Sequence, residues 1–222
     1  MVGSDVQNLV GVIVLVLTLL GLFWYALREP PLLRLLSRVA LTKLRSARDG
    51  DRVKVLGTIR KHDGSFVSPL TGKRGVWSIT GAYKLRDAWN YHRYPWWETQ
   101  ARELQSRDFL MDEGDDLVRV KGSRLRVLSN PDLDTYLELR REGFNERAIA
   151  FLTRHRVRLT NWLGGSRIDL RLQETVLEPG DQVAVLGLLR VLSPVPDDGI
   201  AYEITPLPEG YVVVSDWPET FY

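Results

Sequence analysis

The side chains best suited to acid–base or metal chemistry at neutral pH are the three histidines, His62, His92 and His155, and each stands in a separate segment. None has a second histidine or carboxylate at the short spacing by which one helix or hairpin presents metal ligands. Ser65 and Ser68 are candidate nucleophiles by type. Neither lies in a Gly-x-Ser-x-Gly elbow, and no glycine-rich loop leads into a helix to cradle phosphate. Asp112, Glu113, Asp115 and Asp116 gather carboxylates without the alternating ligand spacing of a calcium loop, and they read as a solvated hairpin turn. With Cys 0, a disulfide framework, a thiolate zinc site, a redox pair and a thiol nucleophile are all excluded. These residues point to a non-catalytic chain with no metal, no cofactor and no small-molecule substrate.

Residues suited to contact are more concentrated. The segment WNYHRYPWW (residues 89–97) sets Trp89, Tyr91, Tyr94, Trp96 and Trp97 around Arg93 and a proline, and Trp, Tyr and Arg dominate binding hot spots. Trp89, Tyr91, Arg93, Tyr94 and Trp96 form the first candidate contact set. A protein partner, the headgroup layer of a membrane and the chain's own core are all open destinations for these rings, with Trp97 expected in the core. The stretch 62–73 is long for a hairpin loop, and Ser68, Pro69, Thr71 and Lys73 form a second candidate set. That loop either binds a partner or folds over one end of the domain.

The elements that hold these residues divide the chain in two. LVGVIVLVLTLLGLFWYAL (residues 9–27) carries no charge, and nineteen helical residues cover about 28 Å, close to the hydrocarbon thickness of a bilayer. It is predicted to cross a membrane once, with Trp24 and Tyr25 at the interface. Residues 1–8 hold Asp5 and no Lys or Arg, whereas Arg28, Arg34, Arg38, Lys43, Arg45 and Arg48 follow the span. This asymmetry places the N-terminus outside and the rest in the cytoplasm. Over residues 28–48, Leu32, Leu33, Leu36, Val39, Ala40 and Leu44 recur at near-helical spacing among the cations. The expected basic amphipathic helix either lies on anionic headgroups, through Trp24, Tyr25, Arg28, Arg34, Arg38, Lys43 and Arg45, or packs on its own domain.

From residue 49 to 222, short β-branched runs broken by Gly, Asp, Asn and Pro predict a mainly β domain, a small barrel or sandwich. Strands are expected at 52–60, 76–85, 97–104, 108–111, 117–120, 124–128, 182–192 and 211–215. A helical insertion is expected at about 131–154, with Leu133, Tyr136 and Leu137 on the apolar face of one helix and Phe144, Ala148, Phe151 and Leu152 in a second. The domain also repeats itself: GDRVKVLGTIR (50–60) returns as GDQVAVLGLLR (180–190), identical at seven of eleven positions. Two strands in equivalent places are expected to close the fold by bringing its first and last parts together.

With those strands placed, the chain resembles the GIDE domain of membrane-anchored ubiquitin ligases in mitochondrial and chloroplast outer membranes and of bacterial proteins. Three blocks carry the resemblance. They are Gly57 with SPLTGK (68–73) leading into Val76 and Trp77; DFLMDEG (108–114); and QETVLEPGDQVAVLG (173–187). The resemblance implies a membrane-proximal domain for substrate or scaffold recognition. The eukaryotic ligases add a cysteine-rich RING and usually a second membrane span; this chain has neither a cysteine nor a later apolar stretch of that length. Gly75 stands where family members often have cysteine.

The expected function is a membrane-tethered protein-binding domain, partnered by the membrane and by another protein or its own kind. The Arg-rich, cysteine-free composition suits a bacterial plasma membrane. The alternatives are an uncharacterised hydrolase, for which no residue stands out, and a single-stranded nucleic-acid-binding barrel. In the barrel, aromatics would stack bases while Arg93, Arg102, Arg107, Arg119, Lys121, Arg124 and Arg126 neutralise phosphate. A net charge of only +2 argues against nucleic acid.

Overall fold

Alternation of apolar and polar residues governs the chain from Arg52 onward, and the computed structural model is accordingly mainly β. It describes residues 18, 31–60, 64–86, 96–114, 116–138, 146–157, 169–196 and 198–222. The expected span at 9–27 lies outside these except for Thr18, and among the described residues no helix is long and apolar enough to cross a membrane.

Five strands close a barrel: β1 (Arg52–Ile59), β6 (Phe109–Glu113), β7 (Asp116–Val120), β11 (Gln182–Val191) and β12 (Tyr202–Thr205). They run in the order β1-β6-β7-β12-β11 and back to β1; all neighbours are antiparallel except the β7–β12 pair. Val53, Val55, Phe109, Met111, Val118, Val185 and Ile204 fill the interior. Two further strands, β8 (Leu125–Leu128) and β13 (Val212–Ser215), extend the sheet from β11.

The repeat explains the closure. Val55 and Val185, equivalent in the two copies, face each other directly across the β1–β11 ladder, so the copies are related by a local two-fold axis. Hydrogen bonds obey the same symmetry: the Gly50 N–H donates to Leu189 O and the Gly180 N–H to Ile59 O, both at 2.8 Å. In each copy the aspartate after the glycine closes the turn, Asp51 accepting the Arg48 N–H at 2.8 Å and Asp181 the Glu178 N–H at 2.7 Å. The second glycine is required by a neighbouring backbone, since a Cβ on Gly57 would lie 2.5 Å from Asp112 O and one on Gly187 2.7 Å from Thr205 O.

Both long connections of the barrel leave it to build a second sheet together. From the β1–β6 connection come the short hairpin β2 (Phe66–Val67) and β3 (Arg74–Gly75), then β4 (Trp77–Arg86) and β5 (Trp96–Ser106). From the β7–β11 connection come β9 (Leu133–Glu138), α2 (Glu146–Arg154) and β10 (Asp169–Leu177). The antiparallel order is β5-β4-β10-β9, and α2 packs Phe151 and Leu152 with Leu70, Ala82, Leu170 and Leu172.

Two expectations change. The segment expected to open the helical insertion is strand β9 at Leu133–Glu138, registered Leu133↔Glu174 through Glu138↔Asp169; pairing with β10 overrides the 3–4 spacing, and Thr135 and Tyr136 suit a strand. Only Glu146–Arg154 of the insertion is described as helix. The basic helix expected over 28–48 is also shorter among the described residues, α1 running Pro31–Ser37. Beyond it the chain extends along β1, with Leu41 bridging Lys54 and the Thr42 N–H donating to Lys54 O at 2.8 Å. Leu36 is fully buried with Leu186, Leu207 and Val213, so the apolar stripe of α1 faces the domain, the second of the two expected destinations. Burying one leucine in this way contributes about 2 kcal/mol.

Candidate functional site

The loop 68–73 sits between β2 and β3, and a buried carboxylate holds it. Glu174 on β10 has no exposed surface; its Oε1 accepts the Leu70 N–H and the Thr80 hydroxyl, both at 2.9 Å, and its Oε2 accepts the Thr71 N–H at 2.6 Å. The Ser68 and Thr71 hydroxyls lie 2.7 Å apart in one hydrogen bond that ties the two ends of the turn together. Lys73 Nζ donates to Asp132 Oδ1 at 2.7 Å and to Glu178 Oε1 at 2.6 Å. These bonds, Asp132's first, raise the lysine above its ordinary pKa. Pro69 opens a loop whose Leu70 is core, and Gly75 must be small because a Cβ there would lie 2.5 Å from Val176 Cγ1.

Behind the loop stand Asp181 and Asp216. Burial pushes both carboxyls up; the Glu178 N–H bonded to Asp181 and the Ser129 hydroxyl, 2.6 Å from Asp216 Oδ2, act against that rise. Among the described residues no three His, Asp or Glu side chains converge on a metal-sized centre.

On the outside of the barrel, cations and carboxylates are matched. Glu203 is almost fully buried on β12, with Lys121 Nζ at 3.2 Å, Arg190 at 3.8 Å and Arg119 at 4.0 Å. Arg119 also pairs with Asp198, Lys121 with Asp108 at 3.0 Å, and Arg60 with Asp112. The acidic turn between β6 and β7 belongs to the same pattern: Asp116 holds Arg45 at 2.8 Å, and Glu113 Oε2 accepts the Leu44 N–H at 3.2 Å.

A third region differs from both. A groove of about 370 Å³ runs between β4 and β5 of the second sheet and β8 of the first, with Leu32 of α1 at its rim. Trp77, Ile79, Leu104, Leu125 and Val127 make its apolar wall, and Leu104 is 57% exposed. Among the described residues, Arg102 and Arg126 are its only charged lining, and no carboxylate joins them. The Arg126 guanidinium stacks 4.0 Å over the Tyr211 ring, while the Trp77 Nε1–H is buried with no acceptor among the described residues.

No family model matches this chain, and neither a curated protein nor a solved structure does.

Of the first candidate contact set, Trp89, Tyr91, Arg93 and Tyr94 lie outside the described residues, while Trp96 opens β5 and is 46% exposed. The second set, Ser68, Pro69, Thr71 and Lys73, is brought together, as part of the frame that fixes the loop. Of the expected membrane-contacting set, Trp24, Tyr25 and Arg28 lie outside the described residues; Arg38 and Lys43 are exposed, Arg34 is half-buried and Arg45 is ion-paired. His62 and His92 also fall outside, and His155 Nε2 lies 3.0 Å from Glu103 Oε2, pinning α2 to β5. Sequence reasoning missed Glu174 as a lock and the groove altogether. For Glu174 there was a signal, a lone acid among alternating apolar residues; for the groove, built from three distant segments, there was none.

Proposed function

We propose that this chain is a membrane-tethered, non-catalytic binding module that holds another protein, or a second copy of itself, beside a bilayer. The observation that carries the reading is the outer edge of β5. This eleven-residue strand ends its sheet, no described strand pairs with its far side, and it leads out of the aromatic segment with Trp96 exposed at its start. An open edge is a template for an added strand, and neighbouring aromatic rings supply the side-chain contacts.

The GIDE resemblance supports the same reading in a limited way. Its three blocks touch one another: Glu174 holds loop 68–73, Gly57 packs on Asp112, and β1 pairs with β11. These residues build a frame, so what carries over as a proposal is a non-catalytic recognition role next to a membrane. The test is a pull-down from membranes comparing the full chain with a W89A/Y91A/Y94A/W96A variant of matched thermal stability. A specific protein recovered by the first and lost by the second supports the β5 surface; equal recovery by both rules it out.

A second reading is favoured by one observation, the strand order. Numbered along the chain, the barrel strands run first-second-third-fifth-fourth and back to the first, the Greek-key arrangement of an oligonucleotide-binding barrel. The outer cations Arg119 and Lys121 already have carboxylate partners, which weakens their hold on phosphate. A steep fall in single-strand binding with added salt would favour this reading; flat, negligible binding would discard it.

A further inference from the structure

We propose that the groove between β4, β5 and β8 seats an anionic phospholipid of the bilayer, with acyl chain along the apolar wall and headgroup phosphate between Arg102 and Arg126. The proposal rests on the membrane-tethered reading above. Three observations select this occupant.

The first is charge. The cations Arg119, Lys121 and Arg190 of the barrel face have carboxylate partners, whereas Arg102 and Arg126 line the groove with no carboxylate among the described lining residues. Arginine is suited to phosphate because its planar fork donates two parallel hydrogen bonds. The second is the mixture of wall and donors. A wall of leucine, isoleucine and valine suits an alkyl chain, and the two lining arginines supply donors for a charged headgroup. At about 370 Å³ the groove falls within the range of ligand pockets. The third is position. Leu32 at the rim lies five residues beyond Leu27, where the expected span ends; five residues reach at most about 18 Å extended and about 8 Å as helix. The polar layer of a leaflet is itself about 5–7 Å deep, so this tether keeps the groove's rim within the headgroups or within about 13 Å of their surface, near enough for the domain to rest on the leaflet and take up a lipid.

The experiment uses the full chain in phosphatidylcholine vesicles containing phosphatidylglycerol with a photoreactive diazirine in its acyl chain, followed by peptide mapping. Crosslinks are expected on residues 77–79, on Leu104 and on residues 125–127. R102Q/R126Q should lower their yield by on the order of tenfold, and Leu104→Asp should remove them. All three substitutions are at exposed positions, so unchanged thermal denaturation shows that the fold is intact. Label confined to residues 9–27 overturns the proposal, as does equal yield from a phosphatidylcholine probe. Groove labelling that appears only on a peptide probe derived from a captured partner would also overturn it, assigning the groove to protein. Alkaline carbonate extraction separates the two levels: release from the membrane sinks the tether and the proposal together, while a retained chain with an unlabelled groove sinks the proposal alone.

Discussion

The barrel face and the groove lie on one small domain and treat charge in opposite ways. On the barrel face, buried Glu203 collects Arg119, Lys121 and Arg190, and Asp108 and Asp198 serve two of the same cations from the other side. In the groove, Arg102 and Arg126 share an apolar wall with no acid among the described lining residues. The first is what a surface needs to carry many arginines and remain closed to anions, since a matched carboxylate lowers the local potential. The second leaves the local potential positive beside apolar surface exposed to solvent. That contrast shows why composition alone misleads here: the sites open to a ligand are set by which cations lack a neighbour, which a net charge of +2 does not reveal.

The largest expected effect comes from neither face but from the fully buried carboxylate of the second sheet, which neutral donors hold. Glu174→Ala would leave the Leu70 and Thr71 N–H groups and the Thr80 hydroxyl without their acceptor, a loss of about 3–5 kcal/mol. Chemical denaturation should show that fall in midpoint. Glu174→Gln, nearly isosteric, should still cost a substantial part of it, because its amide nitrogen faces the Thr71 N–H as a second donor.

Glu203→Ala is expected next in size. It removes the common partner of three cations that remain partly solvated, with side-chain exposures of 25% for Arg119, 34% for Lys121 and 65% for Arg190, so about 1.5–3 kcal/mol is expected. The same change should make the barrel face resemble the groove. Heparin or single-stranded DNA retention at low salt should therefore rise in Glu203→Ala, and unchanged retention would show that charge pairing is not what keeps the face closed.

What could be read from the sequence follows the same division. All eight expected strands are present, because alternating runs bounded by Gly, Asp and Asn report local burial. The repeat located the two strands that close the barrel, since its Gly-Asp turns and central valines are set by the local two-fold axis. Strand β9 was expected as helix because Leu133, Tyr136 and Leu137 fit both periods, and the deciding partner, β10, lies more than thirty residues away in the chain. Strand β10 and β12 carry Glu174 and Glu203 on buried faces, and a buried acid interrupts the apolar alternation by which a strand is recognised. The groove was invisible because Trp77, Leu104 and Val127 come from three strands, and no period along the chain joins them.

A smaller effect, opposite in sign, is expected at Asp181. Burial first, then the carboxylates of Glu178, Asp216 and Asp132, raise its folded pKa above the unfolded value. The unfolded chain therefore ionises first as pH rises, and stability contributed by the protonated form is lost between the ordinary aspartate pKa near 4 and the raised folded value. Asp181→Asn keeps an oxygen for the Glu178 N–H and removes the charge. Its thermal midpoint relative to the native chain should rise with pH across that window and level off above it. A difference that is independent of pH would mean that the turn geometry, and not the charge, sets the role of this residue.

The smallest stability effect is expected where the proposed ligand effect is greatest. R102Q/R126Q touches side chains exposed to solvent and without carboxylate partners among the described residues, so the fold should change by no more than about 0.5 kcal/mol, with part of that from the stacking of Arg126 on Tyr211. If the groove's cations are held apart from acids in order to meet an anion, the pair should separate binding from stability: vesicle labelling falls while the denaturation curve stays in place. A large loss of stability would instead make the two arginines part of the frame, and the contrast between an open groove and a closed barrel face would disappear.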